Sequence, residues 1–399
     1  MRVLIGITAV LAAGLFAREA QAQVDQKRID DAIHRGVEYL KGAESSGWDQ
    51  HINNCDELVL LTFIHAGVPE KDAKFQEYLQ RALRAKLERT YKVALLAMCL
   101  EELDRVKYQG RIRQCAQFLV DNQCQNGQWH YGEETPFAVG VPTTGNNRAA
   151  VASAAKDFAA AEGAKTKPKV VNRVPVEKKR EGPPTGDNSN AQYAALGLRA
   201  CHEAGIILPK ETVVKPAKRW WTTSQLGDPK GGKDNSVATS GGTIPAEPRG
   251  WSYVQNPQAY GSMTAGAVGA VCIYDFILGE DWKKDKVVAG GMSWLQKNYS
   301  VTENVGPCET GSQAPTEFLY YYLYALERAG MLYDTVFIGN KDWYLDGARE
   351  LLAAQKQGGE WAQSAPATMR PTWDTCFAIL FLKRATRPLV VSVDKSRAK

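Results

Sequence analysis

Stretches with an apolar residue every three or four positions alternate along this chain with stretches that are apolar nearly throughout. The first pattern appears in "RIDDAIHRGVEYLKGAESSGWDQ" from Arg28, ending in Gly47-Trp48, and the second in "NCDELVLLTFIHAG" just after it. An apolar stripe at helical spacing marks a helix half in water, whereas a helix apolar all round must be buried on every side. The couplet recurs. "KFQEYLQRALRAKLE" pairs with "YKVALLAMCLEELD", and "RIRQCAQFLVDNQCQNGQWHYG" pairs, after an insertion, with "NSNAQYAALGLRACHEAGI". "VVKPAKRWWTTSQL", a Gly-rich stretch from Gly227 to Gly250 read as a loop, and "RGWSYV" lead to "GSMTAGAVGAVCIYDFILG". "VAGGMSWLQKNYS" precedes "EFLYYYLYALERAG", and "YLDGARELLAAQKQGGEWAQ" precedes "TWDTCFAILFLKRA".

Six two-helix units in which the first helix is amphipathic and the second dry predict an all-α fold. An α/α toroid of about six hairpins satisfies both demands, with the apolar helices as inner ring and the amphipathic ones outside; an open superhelical solenoid is the competing arrangement. Four units end the outer helix on Gly-Trp or Gly-x-Trp, at Trp48, Trp129, Trp251 and Trp361. Glycine ends a helix in a conformation that Cβ resists, and an indole buries a large ring while its N–H seeks a partner. These four tryptophans are therefore expected to clamp neighbouring repeats, ahead of stacking on a substrate.

Residues 1–22 have a basic head at Met1-Arg2, an apolar segment from Val3 to Phe16 and a small-x-small end at Ala20-Gln21-Ala22. Those are the parts of a secretory signal, so the mature chain is expected to be exported to the periplasm or beyond the cell. No later uninterrupted apolar run of about 18 residues predicts a membrane span. One toroid domain over 23–386 is expected, interrupted by a basic, Pro/Ala-rich insertion at 133–186 and followed by a tail at 387–399. The insertion peaks at Lys178-Lys179-Arg180 and holds few large apolar residues, a composition that cannot bury enough surface to order itself.

The net charge of +5 over 399 residues is too small for a nucleic-acid partner to be expected. "GGKDNSVATSGG" lacks the Gly-Lys-Ser/Thr ending of a phosphate loop. Eight cysteines permit disulfides in an exported chain, but no C-x-x-C pair or Cys/His cluster argues for zinc. Cys99, Cys201 and Cys272 read as plain buried thiols. No metal or cofactor is expected, and no feature specifies an oligomeric state.

"QCQNGQW" and "QKQGGEW" resemble the repeat of squalene and oxidosqualene cyclases, whose two-ring architecture protein prenyltransferases share. "DNSNAQYAALGLRACHEAGI", "GWSYV" with "YGSMTAGAVGAVCI", and "TWDTCFAILFLKRATRPLV" resemble exported prenyltransferase/squalene-oxidase-repeat proteins of the planctomycete type. The resemblance spans nearly the whole mature chain outside the insertion. It implies the toroid and, as a ligand class, an apolar or isoprenoid small molecule. The cyclases protonate an alkene with an acid from an Asp-x-Asp-Asp-Thr motif at an inner-helix start. Here the matching starts hold Asp187 alone and Asp374 alone, and these are the two candidate catalytic acids.

Helix N-capping is the competing role for Asp187, Asp374 and Asp56, worth about 1 kcal/mol each. Asp56 and Glu57 point roughly 100° apart on a helix and need not cooperate. Glu280-Asp281 with Asp285 is the nearest approach to a diphosphate-binding acidic cluster and reads as a solvated loop. Asp374-Thr375-Cys376 imitates the zinc pair of prenyltransferases, yet all five histidines precede it. Ring closure would make the first and last inner helices neighbours, which could bring Cys55 to Cys376 as a disulfide worth about 3 kcal/mol. Asp56, Asn188, Tyr193, Tyr260, Tyr321 and Trp373 are expected to line a central cavity, with Tyr253, Tyr320, Tyr322 and Tyr324 as further aromatic surface. His51 and His130 are loop candidates for acid/base work in a carbohydrate-active enzyme, a chemistry that α/α toroids also host. The leading expectation is a binding or scaffold protein without intact catalytic motifs. An isoprenoid cyclase using a lone aspartate, or a lyase or glycosidase, is the alternative.

Overall fold

In α1 (Gln26–Gly42) the buried positions are Ile29, Ala32, Ile33, Gly36, Val37 and Leu40, the stripe of a helix with one wet face. In α2 (Asp56–Ala66) every residue from Asp56 to Phe63 is buried. Outer helices α3 (Ala73–Arg84), α7 (Lys215–Thr223) and α11 (Trp343–Ala354) keep a wet face like α1, whereas outer helices α5 (Gln109–Asp121) and α9 (Lys286–Lys297) are buried over most of their length, as are inner helices α4 (Thr90–Asp104), α6 (Asn188–Glu203), α8 (Gly261–Leu278), α10 (Leu319–Tyr333) and α12 (Pro371–Leu382). The computed structural model describes residues 24–45, 47, 52–133, 172–173, 184–227, 234–239, 242–254, 258–307, 316–363 and 371–389. The expected signal segment, Trp48, His51, Cys308, nearly all of the insertion and the tail beyond Leu389 lie outside these residues.

The inner helices pack in the order α2, α4, α6, α8, α10, α12, and α12 packs back on α2. That last contact makes the arrangement a closed α/α toroid and excludes the open solenoid. Outer helix α1 bridges the closure, touching α2, α11 and α12. Helix α8 is long and apolar enough to cross a bilayer, but its most apolar window is 89% buried inside the protein, as befits an inner stave.

Five of the six outer-to-inner connections are longer than any inner-to-outer one: residues 43–55, 122–187, 224–260, 298–318 and 355–370 against, at most, 204–214. All five emerge at the N-terminal end of the inner ring. Concentration of insertions on one face of a repeat array is the usual mark of its working face.

The Gly-rich stretch expected to be a loop contains a hairpin instead. Strands β1 (Asn235–Thr239) and β2 (Gly242–Ala246) pair antiparallel, with Val237 opposite Ile244. Val237 is buried, and the Asn235 amide donates to the Ser293 carbonyl at 3.1 Å while Ser293 Oγ donates to the Ala246 carbonyl at 2.6 Å, so the hairpin is stitched onto α9. Two β-branched residues facing each other were enough once α9 offered a surface.

The Gly-x-Trp elements repeat one geometry. The indole N–H of Trp129 donates to the Leu119 carbonyl at 2.7 Å, that of Trp251 to Trp221 at 2.9 Å and that of Trp361 to Leu351 at 2.8 Å. Each acceptor is a carbonyl near the C-terminus of the preceding outer helix, where intrahelical donors run out. The Trp251 ring lies over Gly291 of α9 and the Trp361 ring over Gly36 of α1, in each case on the next outer helix. Gly127 (φ +95°) and Gly359 (φ +95°) complete the junction. A Cβ at either would stand 2.4 Å from the Pro216 carbonyl oxygen or 2.5 Å from that of Arg35.

Candidate functional site

The N-terminal ends of the inner helices bring Tyr91 (α4), Ser189 (α6) and Tyr321 (α10) together on the ring axis. Tyr91 and Ser189 share a short hydrogen bond. Tyr321 Oη lies 3.0 Å from Tyr91 Oη and 2.7 Å from Ser189 Oγ, and it accepts from Gln192 Nε2 at 2.7 Å. Gln192 Oε1 in turn accepts from Arg328 Nη2 at 2.8 Å. Rings stack along the chain: Tyr91 on Tyr193 at 4.1 Å and Tyr193 on Tyr321 at 6.3 Å. Phe377 closes the far wall, 5.6 Å from Tyr321, 5.8 Å from Tyr324 and 6.2 Å from Trp373.

Arg328 is the centre of this cluster. Its guanidinium sits 4.3 Å from the Tyr324 ring centroid and 5.3 Å from that of Tyr193, and the residue is only 2% exposed. Nη1 has no hydrogen-bond partner among the described residues. The adjacent Glu327 spends both oxygens on Thr386, and burial holds its carboxyl up at about 7. The expected central hollow is therefore occupied: tyrosine rings and a resident cation fill the axis.

Asp187 and Asp374 stand at the same end, on inner helices α6 and α12, three places apart in the ring of six. Asp187 caps α6, Oδ1 accepting from the Asn190 amide at 2.7 Å and Oδ2 from the Asn190 side chain at 2.9 Å. Burial pushes its carboxyl up to about 6 against those bonds. Asp374 is not a cap. It lies in the first turn of α12, fully buried, with Oδ2 accepting from the Gln363 amide at 3.2 Å and Oδ1 without a partner among the described residues; burial pushes its carboxyl up to about 7.

Of the six residues expected to line a cavity, Tyr193, Tyr321 and Trp373 belong to the axial cluster. Asp56 does not, because its carboxylate turns outward to Arg81 of α3 at 2.9 Å; nor does it cap α2. Asn188 also turns away from the axis, its Oδ1 accepting from Gln128 and from the Trp220 indole while Nδ2 donates to the Ser252 carbonyl. Tyr260 precedes α8 as its N-cap residue. Glu57 pairs with Lys92 of α4 at 3.1 Å, a link between neighbouring inner helices. The His130 ring packs edge-on to Tyr131 in the loop after Trp129. Cys55 and Cys376 are free buried thiols, not joined as a disulfide although their helices are neighbours. Among the described residues no three His, Cys, Asp or Glu side chains converge as a metal site.

The sequence reading missed Tyr91, Ser189, Gln192 and Arg328. A charged residue inside "LYYYLYALERAG", one turn from Tyr324, was the available signal. An arginine in a helix buried on nearly every side must find company inside.

Fold and site define an all-α toroid with a polar, aromatic axis and a loop-rich N-terminal face. No family profile matches the sequence, and no curated protein matches it. Among solved structures, the chain is similar to a family 76 glycoside hydrolase from a bovine Bacteroides thetaiotaomicron strain, at 8% identity and a TM-score of 0.46, over 90% of this chain and 77% of that one.

Proposed function

We propose that this chain is a toroidal binding or scaffold protein that works through the N-terminal face of its inner ring, and does not enclose a substrate along its axis. The observation that carries the reading is Arg328. A cage of aromatic faces stabilises a cation by its ring quadrupoles. In this ring the cage already holds the protein's own guanidinium, tied to Gln192, where an isoprenoid cation would have to form. The long outer-to-inner connections, each rejoining the ring at the N-terminal end of an inner helix, are the natural presenting surface.

Native mass spectrometry of the full chain purified from its exported fraction tests this. A bare protein mass is expected; a stoichiometric isoprenoid or other lipid on the toroid would overturn the proposal. A second reading, acid/base chemistry on a glycan at the same face, draws on Asp374, whose carboxyl stays protonated to about 7 and whose Oδ1 has no partner among the described residues. It requires that oligosaccharide cleavage by the full chain be detectable and vanish in Asp374→Asn.

A further inference from the structure

At the opposite end of the ring, the chain leaves α12 through Arg384, whose φ of +45° is a conformation that side chains resist, and crosses beneath the barrel as a short strap, Ala385–Leu389. The strap is gripped by three other inner helices, its ring neighbour α10 and the more distant α4 and α6. Glu327 of α10 accepts the Thr386 amide at 3.0 Å and its hydroxyl at 2.7 Å. Around the Arg387 guanidinium stand Glu102 at 2.7 Å, Glu203 at 3.2 Å and, in a short contact, Glu101. Arg199 of α6 donates to the Arg387 and Pro388 carbonyls at 2.7 and 3.2 Å, and Leu389 is buried.

These are the contacts by which a groove reads a peptide: a buried acceptor for main-chain N–H, donors for consecutive carbonyls, an acidic pocket for a guanidinium and a seat for an apolar side chain. The C-terminal ends of the inner helices add their negative dipole ends to the three glutamates, which favours a cation there. Beside the strap the recess, lined by Leu61, Met98 and Leu196, keeps only about 40 Å³ free, room for a few waters but not for a second segment.

We propose that this recess is a recognition site for an extended, arginine-bearing segment of Thr-Arg-Pro-Leu type, and that the chain's own C-terminal strap occupies it in cis as a displaceable ligand. The partner is a protein segment of that chemistry, and the reading is independent of what the N-terminal face does.

The experiment uses the full chain and a dye-labelled peptide spanning residues 383–391, followed by fluorescence anisotropy. Arg387→Glu sets a carboxylate against Glu101, Glu102 and Glu203 and frees the recess. This variant is expected to bind the peptide saturably, at least about tenfold more tightly than the unaltered chain, whose tethered strap competes at high effective concentration. A peptide with alanine in place of the arginine matching Arg387 is expected to lose that binding. Circular dichroism checks that the variant is folded; should it not be, Thr386→Val, which removes only the hydroxyl held by Glu327, takes its place. A folded variant that binds no more tightly than the unaltered chain, or binds the alanine peptide equally well, overturns the proposal and leaves the strap a structural latch.

Discussion

Two glycines on one helix provide a sharp test of ring closure through α1. A Cβ added at Gly36 would stand 2.8 Å from Cζ3 of Trp361 and 2.9 Å from Cδ1 of Ile379, while one added at Gly42 meets nothing within 4 Å. On an open helix Gly→Ala stabilises by about 0.4–1 kcal/mol, chiefly by restricting the unfolded chain. Overpacking a well-filled interior costs about 1–3 kcal/mol. Trp361 and Ile379 are both fully buried, and the indole is pinned by its bond to Leu351, so the ring cannot swing aside. At Gly36 the clash therefore outweighs the entropic gain. Gly36→Ala is expected to destabilise by about 1 kcal/mol and Gly36→Val by more, while Gly42→Ala is neutral or stabilising. Removing the second offender in Gly36→Ala/Ile379→Val should recover part of the loss, a coupling of at least about 0.5 kcal/mol. Urea titrations followed by tryptophan fluorescence and far-UV dichroism measure these four and the Ile379→Val single variant that the coupling requires. If Gly36→Ala stabilises as much as Gly42→Ala does, α1 does not seal the ring against Trp361 and the closure argument fails.

Three further outcomes follow from buried polar groups. Asp374 has a folded pKa of about 7, above its unfolded value, so its contribution to stability is complete below about pH 4 and is lost as pH rises through 7. Asp374→Asn, which cannot ionise, is thus expected to be more stable than the parent at pH 8 by at least about 1 kcal/mol, with the gap closing toward pH 4; a gap that widens on acidification would refute the assignment. Trp129→Phe, Trp251→Phe and Trp361→Phe each strand a helix-end carbonyl, and each should lose about 1–3 kcal/mol in thermal or urea melts. A loss confined to one site would show that the three junctions are not equivalent. In the axis, Arg328→Met alone leaves Gln192 Oε1 stranded, whereas Arg328→Met/Gln192→Leu removes the whole buried polar pair. The double variant is expected to be stabilised by about 1–3 kcal/mol, and a loss of more than ~2 kcal/mol would mean that the cation is well compensated as it stands.

The alternation of striped and uniformly apolar segments was enough to specify the twelve ring helices of the described residues, their pairing and which layer each occupies, because burial on one side or on all sides follows from which residues can tolerate water. Gly-x-Trp marked outer-helix ends, since a left-handed glycine and a large ring with one polar atom fit few other places. Chain-distant contacts carried no such signature. Whether the ring shut depended on α12 reaching α2, and Asp56 and Asn188 turned outward because Arg81, Gln128 and Trp220 waited there. The hairpin on α9 formed because Ser293 and the α9 surface were available to it. Arg328 reads as one charge among many until α6 and α10 bring Tyr193, Gln192 and Tyr324 around it. The strap at Thr386–Arg387 likewise gains its meaning from glutamates on α4, α6 and α10. Local pattern determines how wet each face must be; only the packed ring decides which polar atoms meet, because those encounters depend on angles between helices that no stretch of sequence contains.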